Sequence, residues 1–390
     1  MTQRNLIFSD CVKIGHDIWF SSLNYNGLYK YNIKEKQTEW IAYFPNEMKT
    51  KKWLFKSIKL WEDKLVFVPY YAEAVYLYDI KGKFFTVINI MNIALLKKYK
   101  NVNKFECCGM YENKLYLIGC GYPGVLKINL DTSEVVELDI FPKRMLKESN
   151  NGSFFGSSAV ADNNILYFTC CSTNEIIQFD MKTEKVNIKM VGNTNNRYRN
   201  IFKGNNGYYL SVYDNDNIIH WNIEDNFAIE INVAFNKHYC GRGLCETERF
   251  LWIICLVSNE ICRVDKKDNS LIKLYYDDKL RIEDFFCSYK DKVVFIDSNS
   301  GRWFEIHEDG KIVDMQLAIV DPRAENDISL MIEDDMGCLL QQPILESECI
   351  NIKVCFTHLL NSQIQIKTQK KCSAKGEMIH NNINNCKGCI

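Results

Sequence analysis

Seven times along the chain an apolar residue is followed, twelve positions later, by a polar one set among apolar neighbours. The pairs are Phe20 and Asn32, Phe67 and Asp79, Leu117 and Asn129, Phe168 and Asp180, Leu210 and Asn222, Ile253 and Asp265, and Phe295 and His307. Six of the seven second positions are Asp or Asn. Within each unit, apolar and polar side chains alternate with a period of two, as half-buried strands require. A recurrence this strict fixes the architecture before any single residue is interpreted.

Successive first residues of these pairs lie 42 to 51 positions apart. That is the period of four-stranded propeller blades rather than of helical repeats. Trp61-Glu-Asp-Lys64, Tyr111-Glu-Asn-Lys114 and Tyr289-Lys-Asp-Lys292 supply the first hairpin turn of a unit. Ile80-Lys-Gly-Lys83 and Asp131-Thr-Ser-Glu134 supply the third. The Asp or Asn that ends a third strand can accept backbone N–H groups of the turn it opens, so its recurrence is structural. Small residues suit the crowded axis, which assigns Ser157-Ser-Ala-Val160, Cys107-Cys-Gly-Met110 and Gly243-Leu-Cys245 to innermost strands.

The expected fold is all-β: a seven-bladed β-propeller of four-stranded blades over residues 1–342. Leu339 and Asn351 repeat the spacing once more, which leaves eight blades as an alternative. Residues 343–390 read as a short C-terminal appendage, first partly helical on Ile350, Val354 and Leu359, then a flexible Cys-containing tail.

Units such as Ile18-Trp-Phe20 with Gly27-Leu-Tyr-Lys-Tyr-Asn32 resemble the blades of bacterial propellers of the YVTN/WD40-like and sensor kinds. Asn24 to Tyr31 and Phe67-Val-Pro69 are similar to propellers associated with surface-polysaccharide gene clusters. The resemblance spans the repeat region. It implies a propeller and, because such propellers serve diverse roles, only a class of function.

A hydrophobic fraction of 47% with 25% charged residues supplies a large core. The net charge of −1 argues against general affinity for nucleic acid or acidic membranes. The first residues carry no signal-type apolar segment, and no run is long enough to insert in a membrane. The 17 cysteines are scattered and odd in number, so reduced, buried thiols and a cytoplasmic location are expected. Gly119-Cys-Gly-Tyr-Pro-Gly124 spells a dinucleotide fingerprint after a strand, but Val125-Leu-Lys-Ile128 continues as a strand where a helix would be needed. It reads as a hairpin loop, and no cofactor is expected. Cys386-Lys-Gly-Cys389 has metal spacing, with Cys372 and His380 as further ligands, but a flexible tail is the competing reading and no metal site is assigned.

Strand order brings the blade connections and the loops between second and third strands to one rim, where loops ride on a rigid scaffold. Connections 44–52, 89–104 and 141–153 are the long ones, and they are basic: Lys49, Lys51, Lys97, Lys98, Lys104 and Arg144 lie within them. Ordinary charged loops balancing acidic turns on the opposite rim would look the same. The functional alternative is a basic, aromatic rim that recognises an anionic or sugar-like group. On that reading Trp53, Lys97, Lys98, Phe105, Arg199, His238 and Arg242 form the ligand-binding site. The expected role is non-catalytic binding or scaffolding by a monomer, directed at a protein partner or a carbohydrate-related ligand. The alternative is a lactonase, lyase or hydrolase with Arg199, Arg242 and His238 in its channel.

Overall fold

The computed structural model describes residues 5–323 apart from 94–95, 97–102, 148–151, 214, 216, 234–242, 256–259, 277–279 and 290. The half-written eighth unit and the appendage lie outside the described residues. Seven four-stranded antiparallel sheets, each in simple meander order, make a ring of seven blades. They span 12–42, 55–89, 105–138, 155–190, 198–232, 244–275 and 282–318.

The twelve-residue pairs set the blade frame. All seven first residues, Phe20, Phe67, Leu117, Phe168, Leu210, Ile253 and Phe295, sit in second strands with 0% exposure. Burying a side chain of this size contributes about 1.5–3 kcal/mol. The second residues end the third strands. Asn32 Oδ1 accepts the backbone N–H groups of Lys34 and Glu35 at 3.0 and 2.9 Å. Asn129 and Asp180 each take two such bonds, and Asp79, Asn222 and Asp265 one each. His307 departs from the pattern, and its turn is closed by Gly310 at φ +89° instead.

Both faces of a blade are apolar, so each sheet needs two neighbours. Seven clusters of buried side chains meet that need, one between each pair of adjacent blades. The last joins Phe20 and Tyr29 of blade 1 to Val294, Ile296 and Trp303 of blade 7, and so closes the ring. Among the described residues no strand is exchanged across that seam: blade 1 is built from 12–42 and blade 7 from 282–318. Instead Asn5 bridges Val320, and the Leu6 N–H donates to the Ile319 carbonyl at 2.7 Å.

The Gly119–Gly124 stretch is a hairpin loop, with Gly119 N–H bonded to the Gly124 carbonyl at 3.0 Å. A Cβ at Gly119 would lie 1.9 Å from the Tyr122 carbonyl oxygen, which is backbone and cannot swing aside. Gly119→Ala is expected to destabilise the fold by about 1–3 kcal/mol through forced backbone shifts. Gly15→Ala, where nothing lies within 4 Å but φ is +61°, is expected to cost about 1–2 kcal/mol from the left-handed backbone alone. Urea midpoints of the two variants measure both, and equal stability of Gly119→Ala and the parent would contradict the loop geometry.

Candidate functional site

The inner strands of blades 2, 3 and 5, Phe55–Trp61, Phe105–Tyr111 and Tyr198–Gly204, begin in one way. An aromatic residue is clamped in the core: Phe55, Phe105 and Tyr198 are all buried. The register against the second strand then slips by one. Phe55 pairs with Pro69 and Ser57 with Val68, Phe105 with Gly119 and Cys107 with Ile118, Tyr198 with Val212 and Asn200 with Ser211. The residue passed over is Lys56, Glu106 and Arg199 in turn. A β-bulge leaves one residue out of the ladder and re-aims its side chain, and such bulges gather beside functional sites. Here the same device puts three charges at the same level of the ring, on the rim where inner strands enter. In blade 4 the equivalent position is Gly156, where a Cβ would fall 2.2 Å from the Arg199 carbonyl oxygen. That glycine lets blade 5 approach.

Two of the three charges are paired. Lys56 Nζ lies 3.7 Å from Glu106 Oε2, and it also stands over the Trp53 and Tyr70 rings at 5.5 and 5.0 Å. Asn103 Nδ2 donates to Glu106 Oε1 at 3.1 Å, and the Cys120 thiol donates to the same oxygen at 3.5 Å. Arg199, itself buried, stacks on Tyr213 at 5.8 Å. Trp53 adopts φ +56°, uncommon for a bulky aromatic, and is pinned by its N–H to the Leu23 carbonyl at 2.8 Å. Holding it there costs about 1–3 kcal/mol, the kind of strain found at binding sites. Beside its ring a cavity of ≈ 210 Å³ is lined by Leu23, Asn24, Arg281, Ser298 and Asn299 among others.

The thiols around the mouth are held as thiols. Burial, and then the Glu106 carboxylate, push Cys120 up to about 12 against the opposing pull of Arg199. Cys171 moves the same way, chiefly through burial and the neighbouring Cys120. A nucleophilic cysteine needs the opposite shift. Among the described residues no cluster of three His, Cys, Asp or Glu is arranged to hold a metal ion.

Of the residues read from sequence as the site, Trp53 and Arg199 stand at this mouth. Phe105 does not line it: the ring is fully buried between blades 2 and 3 and anchors the bulge that presents Glu106. Lys97, Lys98, His238 and Arg242 lie outside the described residues. Lys104, read as part of a basic surface loop, is fully buried and donates to the Ala72 carbonyl at 3.3 Å. Lys51 and Arg144, from the same basic connections, pair with Glu47 and Glu175 at 2.6 and 2.8 Å. Lys56 and Glu106 were missed. Their signal is present in the chain as Phe55-Lys56, Phe105-Glu106 and Tyr198-Arg199, an aromatic followed by a charge at each inner-strand start.

No family model matches the sequence, and no curated protein matches it. Solved structures do resemble it. Virginiamycin B lyase from Staphylococcus aureus aligns over 80% of this chain and 97% of its own, with TM-score 0.55 and 13% identity. The extracellular domain of BT4673 from B. thetaiotaomicron, described as a hybrid two-component system, aligns over 80% of this chain and 42% of its own, with TM-score 0.55 and 12% identity. PorZ, a surface component of the type-IX secretion system of Porphyromonas gingivalis, aligns over 83% and 39%, with TM-score 0.50 and 11% identity. At such identities the likeness is one of fold alone: a β-propeller.

The raised thiols make stability depend on alkali. An unfolded thiol ionises near about 8.5, whereas folded Cys120 keeps its proton up to about 12. Its contribution is therefore complete below about pH 8.5 and is lost as pH climbs toward the folded value. Urea midpoints of the parent are expected to fall above about pH 9, and those of Cys120→Ser to fall less steeply. Identical slopes would show that Cys120 is not held as described.

Proposed function

We propose that the protein is a binding propeller whose channel mouth recognises the anionic group of a ligand, a carbohydrate-related acid or an acidic side chain of a protein partner. The observation that carries this reading is the triple bulge: Lys56, Glu106 and Arg199 are each taken out of a ladder at the same level of the ring. Arginine grips a planar carboxylate or a phosphate through two parallel N–H bonds, and lysine adds a point charge. Trp53 and Tyr70 supply flat faces beside the lysine, suited to a sugar ring or an apolar partner side chain. Glu106, fixed by Lys56 and Asn103, turns away anions that lack a donor to meet it.

The described residues contain no helix long and apolar enough to cross a membrane. Cys107, Cys108, Cys120, Cys170 and Cys171 are buried as thiols, which supports a reducing compartment, although the solved neighbours include extracellular domains.

The test is retention on an array of acidic and neutral oligosaccharides and peptides. The parent is expected to keep acidic members, and Lys56→Glu and Arg199→Glu to weaken them at least tenfold, about 1.4 kcal/mol. Retention that ignores both charge reversals would overturn the reading. Consumption of a retained compound, abolished in Glu106→Gln while retention persists, would point to the enzyme class instead.

A further inference from the structure

At the seam between blades 1 and 7 the chain places one of its own side chains in a ready-made cation site. Arg323 is gripped on its edge by Asp321, with Nε to Oδ1 at 3.0 Å and Nη2 to Oδ2 at 2.8 Å. Three rings surround its guanidinium carbon: Tyr29 at 5.3 Å, Trp40 at 5.4 Å and Tyr43 at 5.1 Å. The Tyr29 hydroxyl donates to Asp321 Oδ2 at 2.9 Å and accepts from Arg323 Nη2. A planar cation stacked on aromatic faces and forked onto a carboxylate is the arrangement that selects guanidinium over ammonium.

Two features show that this resident is not a perfect fit. Arg323 Nη1 and the Trp40 indole N–H are both buried without a hydrogen-bond partner among the described residues. An arginine arriving on another polypeptide would bring main-chain carbonyls able to accept from such donors. There is also a way in. A groove of ≈ 690 Å³ reaches the cage past Trp40 and Pro322, and it carries Asp17, Glu35 and Glu39 against Lys30 and the resident Arg323. Lys30 is committed to Glu39 at 2.7 Å and near Asp17 at 4.0 Å, so the groove remains acidic.

We propose that the seam holds a guanidinium-binding cage, with Arg323 as its built-in ligand, that accepts an arginine side chain brought by another polypeptide through the acidic groove. The site lies on blade 1 and on residues 319–323 that follow blade 7, separate from the charged channel mouth, and stands whether or not that mouth binds an anion. Arg323 competes at the high local concentration of an intramolecular ligand, so an external arginine takes the cage fully only when Arg323 is removed or displaced.

The experiment uses the full chain, the Arg323→Ala variant and three probes: N-acetyl-arginine methylamide and its lysine and citrulline counterparts at equal ionic strength. Arg323→Ala is expected to melt several degrees below the parent, and the arginine probe to restore at least half of that loss. The lysine and citrulline probes are expected to restore less than a third, and the parent to shift less than the variant. Equal rescue by the lysine probe, equal shifts of parent and variant, or an unchanged melting temperature in Arg323→Ala would each overturn the proposal. Should Arg323→Ala fail to fold, Arg323→Lys keeps the charge and loses the planar fork. A melting temperature below the parent, raised by the arginine probe, would support the cage, and one equal to the parent would sink it.

Discussion

A β-sheet with two apolar faces has no stable existence until both are covered, and everything else in this molecule depends on that requirement. Each blade is such a sheet. Its second and third strands are buried on both sides, as in Leu65 to Val68 and Leu115 to Ile118, where every residue is at 0% exposure. Only a neighbour on each side satisfies a blade, and only closure satisfies the end blades. The seven interblade clusters are therefore one continuous condition on the fold, met completely when the aromatic seam of Phe8, Phe20 and Trp303 forms.

The same requirement explains why three charged side chains leave their ladders at one rim. Deep in the ring, side chains are fixed by packing against two neighbours at once. At the level where inner strands enter, an aromatic foot holds the backbone and the following residue escapes the ladder. Rigid support directly beneath a charged side chain is what a recognition site needs, because little ordering is left to be done on binding. Gly156 shows how tight this level is, since the position has no room for a side chain beside the Arg199 carbonyl.

Nearly all of the fold was legible in the chain, and the site only in part. The twelve-residue pairs mark a buried second-strand residue and a turn-closing Asp or Asn, both set by local sequence, and the structure follows them at every blade except for the turn role of His307. Trp53 and Arg199 were read from the gathering of aromatic and basic residues near the connections, and the structure sets both beside the bulged inner-strand starts. Phe105 was taken for a ligand contact because its neighbours are basic, yet its environment is set by the adjoining blade, which local sequence does not display. Lys104 was misread for the same reason. Lys56 and Glu106 escaped because a bulge is a property of register between two strands, visible only when inner strands are laid side by side.

Closure of the ring between Asn5 and Val320 has a mechanical consequence. Asn5 and Val320 face each other across the seam, so both ends of the propeller leave from one place. Tension applied at those two points would load that seam first, against the Asn5–Val320 bridge, the Leu6–Ile319 hydrogen bond, the Tyr29–Asp321 bond and the aromatic cluster behind them. The molecule is a collar with a clasp, and its resistance to being pulled open is that of the clasp.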